Sequence, residues 1–171
     1  MNVKVIVISG SMGSGKTTVL GEASDILSER RVVHAIVDLD AIGTVLLLPD
    51  DASQDLSIRN LQAVVANFTA AGVTRLLLAA AVESRDHLQA LRGAMSEPEL
   101  VVCRLTAAAE TMERRLRVRE PGMHQDQFVI RSRELDARLD VAHVEDFSVL
   151  NDGRRVTDVA NEILRRAGWM A

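Results

Sequence analysis

Eight residues near the start of the chain, Gly10-Ser11-Met12-Gly13-Ser14-Gly15-Lys16-Thr17, carry the chemistry an oligophosphate needs. The spacing is G-x-x-x-x-G-K-[ST], between an apolar β-branched run and a segment with helical periodicity. Glycines at 10, 13 and 15 permit backbone angles closed to residues with a Cβ, and they let N–H groups approach an anion closely. A helix opening near Gly15 points unpaired N–H groups and its positive dipole end at the same anion. Lys16 supplies a mobile point charge for β- and γ-phosphate oxygens. The Thr17 hydroxyl is placed to ligate Mg²⁺. Thr18 supports the turn or touches an α-phosphate.

Three further groups stand where such a loop needs partners. Asp38 and Asp40 close the second apolar run. Carboxylates two apart on a strand end point the same way, into the phosphate crevice. One holds Mg²⁺, directly or through water, and the other orients a hydroxyl and takes its proton. The competing reading is a turn in which both satisfy local backbone donors. Glu83, Ser84 and Arg85 follow an apolar run without a carboxylate and line either an acceptor pocket or a solvated loop. That run lacks the acids a motor ATPase or switch GTPase needs beside its metal. Arg59, with Asn60 beside it, is placed for an acidic substrate group or for the surface. Last, Arg114, Arg115, Arg117 and Arg119 crowd a segment that Pro121-Gly122 interrupts. Arg115 and Arg119 are four apart and share a helix face. Planar guanidinium groups suit phosphate oxygens whose charge shifts during transfer, and such a helix pair can close as a lid.

The elements that must hold these groups emerge from periodicity. Strands are expected over Val3–Ile8, Val32–Val37, Thr74–Val82, Leu100–Leu105 and Phe147–Leu150. Helices are expected over Gly15–Arg30 and Gln54–Ala71, from Ser84 or Asp86 to Met95, from a Thr106 cap to Glu120, and over Gln125–Ala142. Pro49 to Ser53 reads as a loop, and Gly72 as a C-cap. Asn151-Asp152-Gly153 forms a turn, and Asp152 or Thr157 starts a final helix ending near Gly168. Strands alternating with helices predict an α/β fold, a parallel sheet with helices on both faces. Ligands in such sheets sit at the carboxyl ends of the strands.

Composition narrows the function classes. The chain has 171 residues, one domain on size, and 47 % are apolar, which suffices for a core. Only 2 % are aromatic, so stacking on a base is poorly supplied. Twenty cations against 24 anions give a net charge of −4, which argues against non-specific nucleic-acid binding. The single Cys103 lies in an apolar run and reads as a buried strand thiol, so a disulfide framework is not expected. The first apolar run is too short for a signal peptide, and no stretch reaches the about 20 residues of a membrane span. These features predict a cytoplasmic protein without membrane or nucleic-acid partners; they leave monomer and homodimer both open. The four histidines share no metal-ligand spacing and read as structural or surface residues.

With the phosphate loop, the D-x-D after the second strand and the R-x-x-x-R segment, the chain resembles the small-molecule kinase branch of the P-loop proteins. Shikimate, gluconate and adenylylsulfate kinases and chloramphenicol phosphotransferase belong to that branch. The resemblance covers essentially the whole chain. It implies a five-stranded parallel sheet of order 2-3-1-4-5 and a lid at about residues 106–142. It implies ATP and Mg²⁺ on Lys16 and Thr17, Asp38 on the metal side, Asp40 as substrate-side acid or base, and Arg115 and Arg119 as lid arginines. Asn151, Gly153 and Arg154 would lie along adenine. The resemblance thus implies transfer of a γ-phosphate to a hydroxyl of a small metabolite. The alternatives are an adenylylsulfate or nucleotide kinase, and a nucleotide-binding regulatory module with weak ATPase activity. The acidic–arginine pair that adenylylsulfate kinases carry before their substrate helix is not evident in Gln54-Asp55-Leu56.

Overall fold

A computed structural model of the chain describes residues 3–43, 45 and 50–170. The strands are β1 (Lys4–Ser9), β2 (Ala35–Asp38), β3 (Arg75–Ala79), β4 (Glu99–Thr106) and β5 (Phe147–Leu150). The helices are α1 (Lys16–Glu29), α2 (Leu39–Gly43), α3 (Asp50–Ala70), α4 (Arg85–Ala94), α5 (Ala109–Arg119), α6 (Gln125–Ala142) and α7 (Val156–Arg166). The five strands form one parallel sheet in the order β2-β3-β1-β4-β5. This is the order the resemblance implied.

Alternation along the central strand explains both faces. Val5 and Val7 of β1 turn toward a core with Leu61 and Val65 of α3 and Leu91 of α4. Ile6 and Ile8 turn toward Leu20, Ala23 and Leu27 of α1 and Ile163 and Leu164 of α7. A strand covered on both sides has no polar face, which is why its sequence is an unbroken apolar run. Cys103 on β4 is buried in the second core, and burial pushes its thiol up to about 12. It is inert as a nucleophile at neutral pH.

Several boundaries differ from the sequence expectation, each for a local reason. Asp50 to Ser53 belong to α3 rather than to a loop, while Pro49 lies outside the described residues. β2 ends at Asp38, and a five-residue helix, α2, begins at once. Asp40 therefore sits in a first helical turn, and the period-two argument that aligned it with Asp38 does not apply. Thr106 does not cap α5. It is the last residue of β4, and Ala108 stands at the cap without a side-chain bond. Asp152 and Thr157 do not start α7, whose cap is Arg155. The Asp152 carboxylate instead accepts from the Thr111 hydroxyl at 2.9 Å and the Ala108 N–H at 3.3 Å. It thereby supplies from a distance the N-terminal satisfaction that α5 lacks locally. Ser84 does cap α4, accepting from the His87 N–H at 3.0 Å.

Two buried polar groups bear on how the helices are held and on stability. Arg104 on β4 is 5 % exposed and reaches α6, bonding Asp136 at 3.0 Å and Asp140 at 2.7 Å. It fastens that helix to the sheet. His87 on α4 is 8 % exposed, and neither ring nitrogen has a hydrogen-bond partner among the described residues. Burial lowers its pKa below the ordinary 6.5. Above pH 6.5 the ring is neutral in both folded and unfolded chains. As pH falls from 6.5 toward the depressed folded value, only the unfolded chain takes the proton, so stability falls. The expected slope is up to about 1.4 kcal/mol per pH unit. Urea unfolding of the native chain between pH 7 and pH 5 should show this loss, and His87→Leu should flatten it.

Candidate active site

The carboxyl end of β1 delivers Ser9, whose buried hydroxyl accepts the Val82 N–H at 3.1 Å and ties the phosphate loop's root to the chain after β3. The loop then turns back so that α1 can begin at Lys16. The loop glycines are required by geometry, as Gly15 and Gly13 illustrate. Gly15 has φ +100°, and a Cβ there would lie 2.5 Å from the Asn151 side-chain nitrogen. Gly13 has φ +83°, and a Cβ there would lie 2.7 Å from the Met112 carbonyl oxygen, so α5 rests directly on the loop.

Lys16 is 7 % exposed, and its ammonium donates to the carbonyls of Gly10 at 3.0 Å and Ser11 at 3.2 Å. Burial lowers its pKa, opposed by the Asp40 and Asp38 carboxylates, while Arg119 lowers it further. This places Lys16, both acids and Arg119 within one electrostatic neighbourhood. Thr17 donates to the Asp38 carboxylate at 2.7 Å. The other oxygen of Asp38 accepts the Asp40 N–H at 3.1 Å. A cavity of about 330 Å³ is lined by the loop, Lys16, Thr17, Thr18, Asp40, Arg115 and Arg119.

Arg115 is engaged by the loop itself. It donates to the carbonyls of Gly13 at 3.1 Å and Ser14 at 3.3 Å, and to that of Asn151 at 2.9 Å. Arg119, a turn further, pairs with Glu120 at 2.8 Å and keeps its side chain 58 % exposed. The two arginines thus divide: Arg115 braces the loop, and Arg119 borders the cavity on its open side. Of the turn after β5, Asn151 is buried and its amide donates to the Ser14 carbonyl at 2.8 Å. Gly153 has φ +64°, and Arg154 pairs with Glu162 at 2.8 Å. This turn lies against the phosphate loop.

The remaining candidates are not gathered at Asp40. Glu83 pairs with Arg138 of α6 at 2.8 Å. Together with Arg85 they line a different cavity, of about 570 Å³. Arg59 is exposed on α3, while Asn60 donates to the Ile42 carbonyl at 2.7 Å and joins α3 to α2. None of Phe68, Phe128, Phe147 and Trp169 lines the Asp40 cavity among the described residues. Sequence reasoning missed Ser132, whose buried hydroxyl donates to the Met12 carbonyl at 2.7 Å, and the clamp of Asp152 on α5. A lone serine in a polar helix, bonding main chain 120 positions away, leaves no local signal.

The donor set suits Mg²⁺. A hydroxyl and a carboxylate 2.7 Å apart at the mouth of the anion loop are hard oxygen donors, and Mg²⁺ takes few protein ligands beside phosphate oxygens and water.

No family model matches the chain, and no curated protein matches it by sequence. Solved structures do match in fold. A sugar kinase from a Janibacter species, unliganded, aligns with a TM-score of 0.68 at 19 % identity, over 96 % of this chain and 94 % of that one. A shikimate kinase from Acinetobacter baumannii in complex with shikimate aligns with a TM-score of 0.62 at 17 % identity, over 97 % and 93 %. An APS kinase from Mycobacterium tuberculosis in complex with AMPPNP and APS aligns with a TM-score of 0.63 at 17 % identity, over 96 % of both chains. The fold is therefore the one shared by P-loop small-molecule kinases.

Proposed function

We propose that the protein is a kinase that moves the γ-phosphate of ATP, with Mg²⁺, to a hydroxyl of a small metabolite. One observation carries this reading: the loop cation Lys16, the Thr17 hydroxyl and the Asp40 carboxylate line a single cavity. Asp38 already bonds the Thr17 hydroxyl, so Asp40 is a second acid beside the loop, placed for an acceptor.

Each residue has a distinct share of the work. The loop N–H groups, with those of Gly13 and Gly15 unbonded among the described residues, take the phosphates, aided by the start of α1. On nucleotide binding, the Lys16 ammonium exchanges two loop carbonyls for β- and γ-oxygens. Thr17 and Asp38 would hold Mg²⁺, whose charge would offset that of the phosphates. Asp40 accepts the acceptor's hydroxyl proton as the oxygen attacks phosphorus in line with the departing ADP oxygen. The bond to ADP breaks as the bond to the acceptor forms. Lys16 and Arg119 stabilise the equatorial oxygens between them. Arg115 keeps the loop in shape, and Asn151, Gly153 and Arg154 flank the base. Arg59, Glu83 and Arg85 lie away from the Asp40 cavity and take no share in the transfer. The α5–α6 pair, docked on the loop through Arg115 and Ser132, shields the reaction from water as a fixed wall, with Arg119 at the cavity.

The empty aromatic inventory of the cavity favours a small hydroxylated acceptor over a nucleotide or adenylylsulfate. A reducing, cytoplasmic setting suits the single buried thiol. Among the described residues no helix is long and apolar enough to cross a membrane. The test is ADP release over a library of hydroxylated metabolites. One acceptor class should raise release at least about tenfold above basal hydrolysis, an effect of about 1.4 kcal/mol on the barrier. Basal hydrolysis unmoved by every acceptor would leave a nucleotide-dependent regulatory module instead.

A further inference from the structure

Every carbonyl from Gly10 to Ser14 accepts a side-chain hydrogen bond. Lys16 serves Gly10 and Ser11, Ser132 serves Met12, and Arg115 serves Gly13. Arg115 and Asn151 together serve Ser14. The donors come from α1, α6, α5 and the turn after β5. A trans peptide is planar, with its C=O and the next N–H pointing oppositely. Holding a carbonyl outward therefore aims the following N–H inward. The N–H groups of Gly13 and Gly15 make no hydrogen bond among the described residues, and so stay open to an anion.

Only one of these donors is neutral, short-armed and carried by α6. Ser132 is 3 % exposed, and its hydroxyl meets the Met12 carbonyl at 2.7 Å. It cannot swing away to a phosphate as Lys16 does. Its helix is itself fixed to the sheet, since Arg104 on β4 holds Asp136 and Asp140 one and two turns further on. Rigid support of this kind is what keeps a binding group within a fraction of an ångström of its working position.

We propose that Ser132 is a positioning residue for the phosphate loop: by holding the Met12 carbonyl toward α6, it aims the Gly13 N–H at the nucleotide's β-phosphate. The role rests on the nucleotide-binding part of the kinase reading and not on the acceptor. It makes α6, rather than the loop alone, part of the anion cradle. It also separates α6 from a freely swinging lid, because a helix that shapes the loop must stay docked.

The test is equilibrium titration of the full chain with ADP and with AMP, both with Mg²⁺ and without acceptor. Wild type, Ser132→Ala and Ser132→Cys are compared. Cysteine keeps the volume but is a weak donor. Both variants should bind ADP about five- to tenfold more weakly, the worth of one aimed hydrogen bond. AMP, which lacks the β-phosphate, should change less than about twofold on the same reasoning. Equal loss for ADP and AMP would mark a merely structural residue and overturn the proposal. So would unchanged ADP affinity in Ser132→Ala, or full affinity in Ser132→Cys, which would make volume the cause. Wild-type chain that binds ADP but phosphorylates nothing sinks the kinase reading and leaves this role standing. Wild-type chain that binds no ADP sinks both.

Discussion

Asp40→Asn lowers turnover to acceptor by about 10³-fold and leaves the dissociation constant for ATP within about twofold. The amide has the shape of the carboxylate but cannot take a proton. Asp40 lines the cavity beside Lys16 and Thr17, whereas Asp38 already spends one oxygen on the Thr17 hydroxyl and the other on the Asp40 N–H. The two acids are thus not interchangeable. Asp38→Asn should instead weaken the Mg²⁺ dependence of binding, since Asp38 is the acid bonded to the Mg²⁺-side hydroxyl. Single-turnover kinetics at saturating ATP, with ATP affinity measured separately, distinguish the two losses. Normal turnover by Asp40→Asn would remove Asp40 from proton transfer.

Gly13→Ala has the second large effect, and it strikes stability and binding together. The position has φ +83°, which costs an alanine about 1–2 kcal/mol. The added methyl would also lie 2.7 Å from the Met112 carbonyl oxygen and 3.1 Å from its Cα. Both are backbone atoms of α5, so no rotamer change relieves the clash. Either α5 lifts or the loop flattens, and a further 1–3 kcal/mol is roughly the usual cost of such overpacking. Lifting α5 takes Arg115 from the Gly13 and Ser14 carbonyls, and flattening the loop misaims its N–H groups. Nucleotide affinity should therefore fall about 100-fold, while unfolding free energy falls by about 3 kcal/mol. Urea unfolding and ADP titration of the same preparation check both numbers.

How much of this was legible in the sequence depends on how local each signal is. The phosphate loop could be read because glycine, lysine and threonine must occur at fixed offsets between a strand and a helix. The sheet order came with the resemblance, and the double-sided burial of β1 came from its unbroken apolar run. Asp38 and Asp40 were legible as a pair, but the helix starting at Leu39 was not. Five residues are too few to show a period, and the short helix is fastened by the distant Asn60. Arg115 read as a charge for the transferring phosphate because its helix spacing matches Arg119. Its bonds to the Gly13 and Ser14 carbonyls depend on a fold contact across about 100 positions. Asp152 looked like a cap for the helix after it and caps α5 instead, 41 positions back. Glu83 and Arg85 were read only from their place after the third apolar run, and with Arg138 of α6, which pairs with Glu83, they line another cavity. In each case the residue type was informative, and the missing part was a partner remote in sequence.

The proposed transfer requires the phosphates and the acceptor oxygen to meet in one cavity. Phosphorus NMR of ATP, Mg²⁺ and the acceptor found by the ADP-release screen tests that directly. A phosphomonoester signal should grow in step with ADP in the native enzyme and be nearly absent with Asp40→Asn. Inorganic phosphate as the sole new product, at the same rate with and without acceptor, would contradict it.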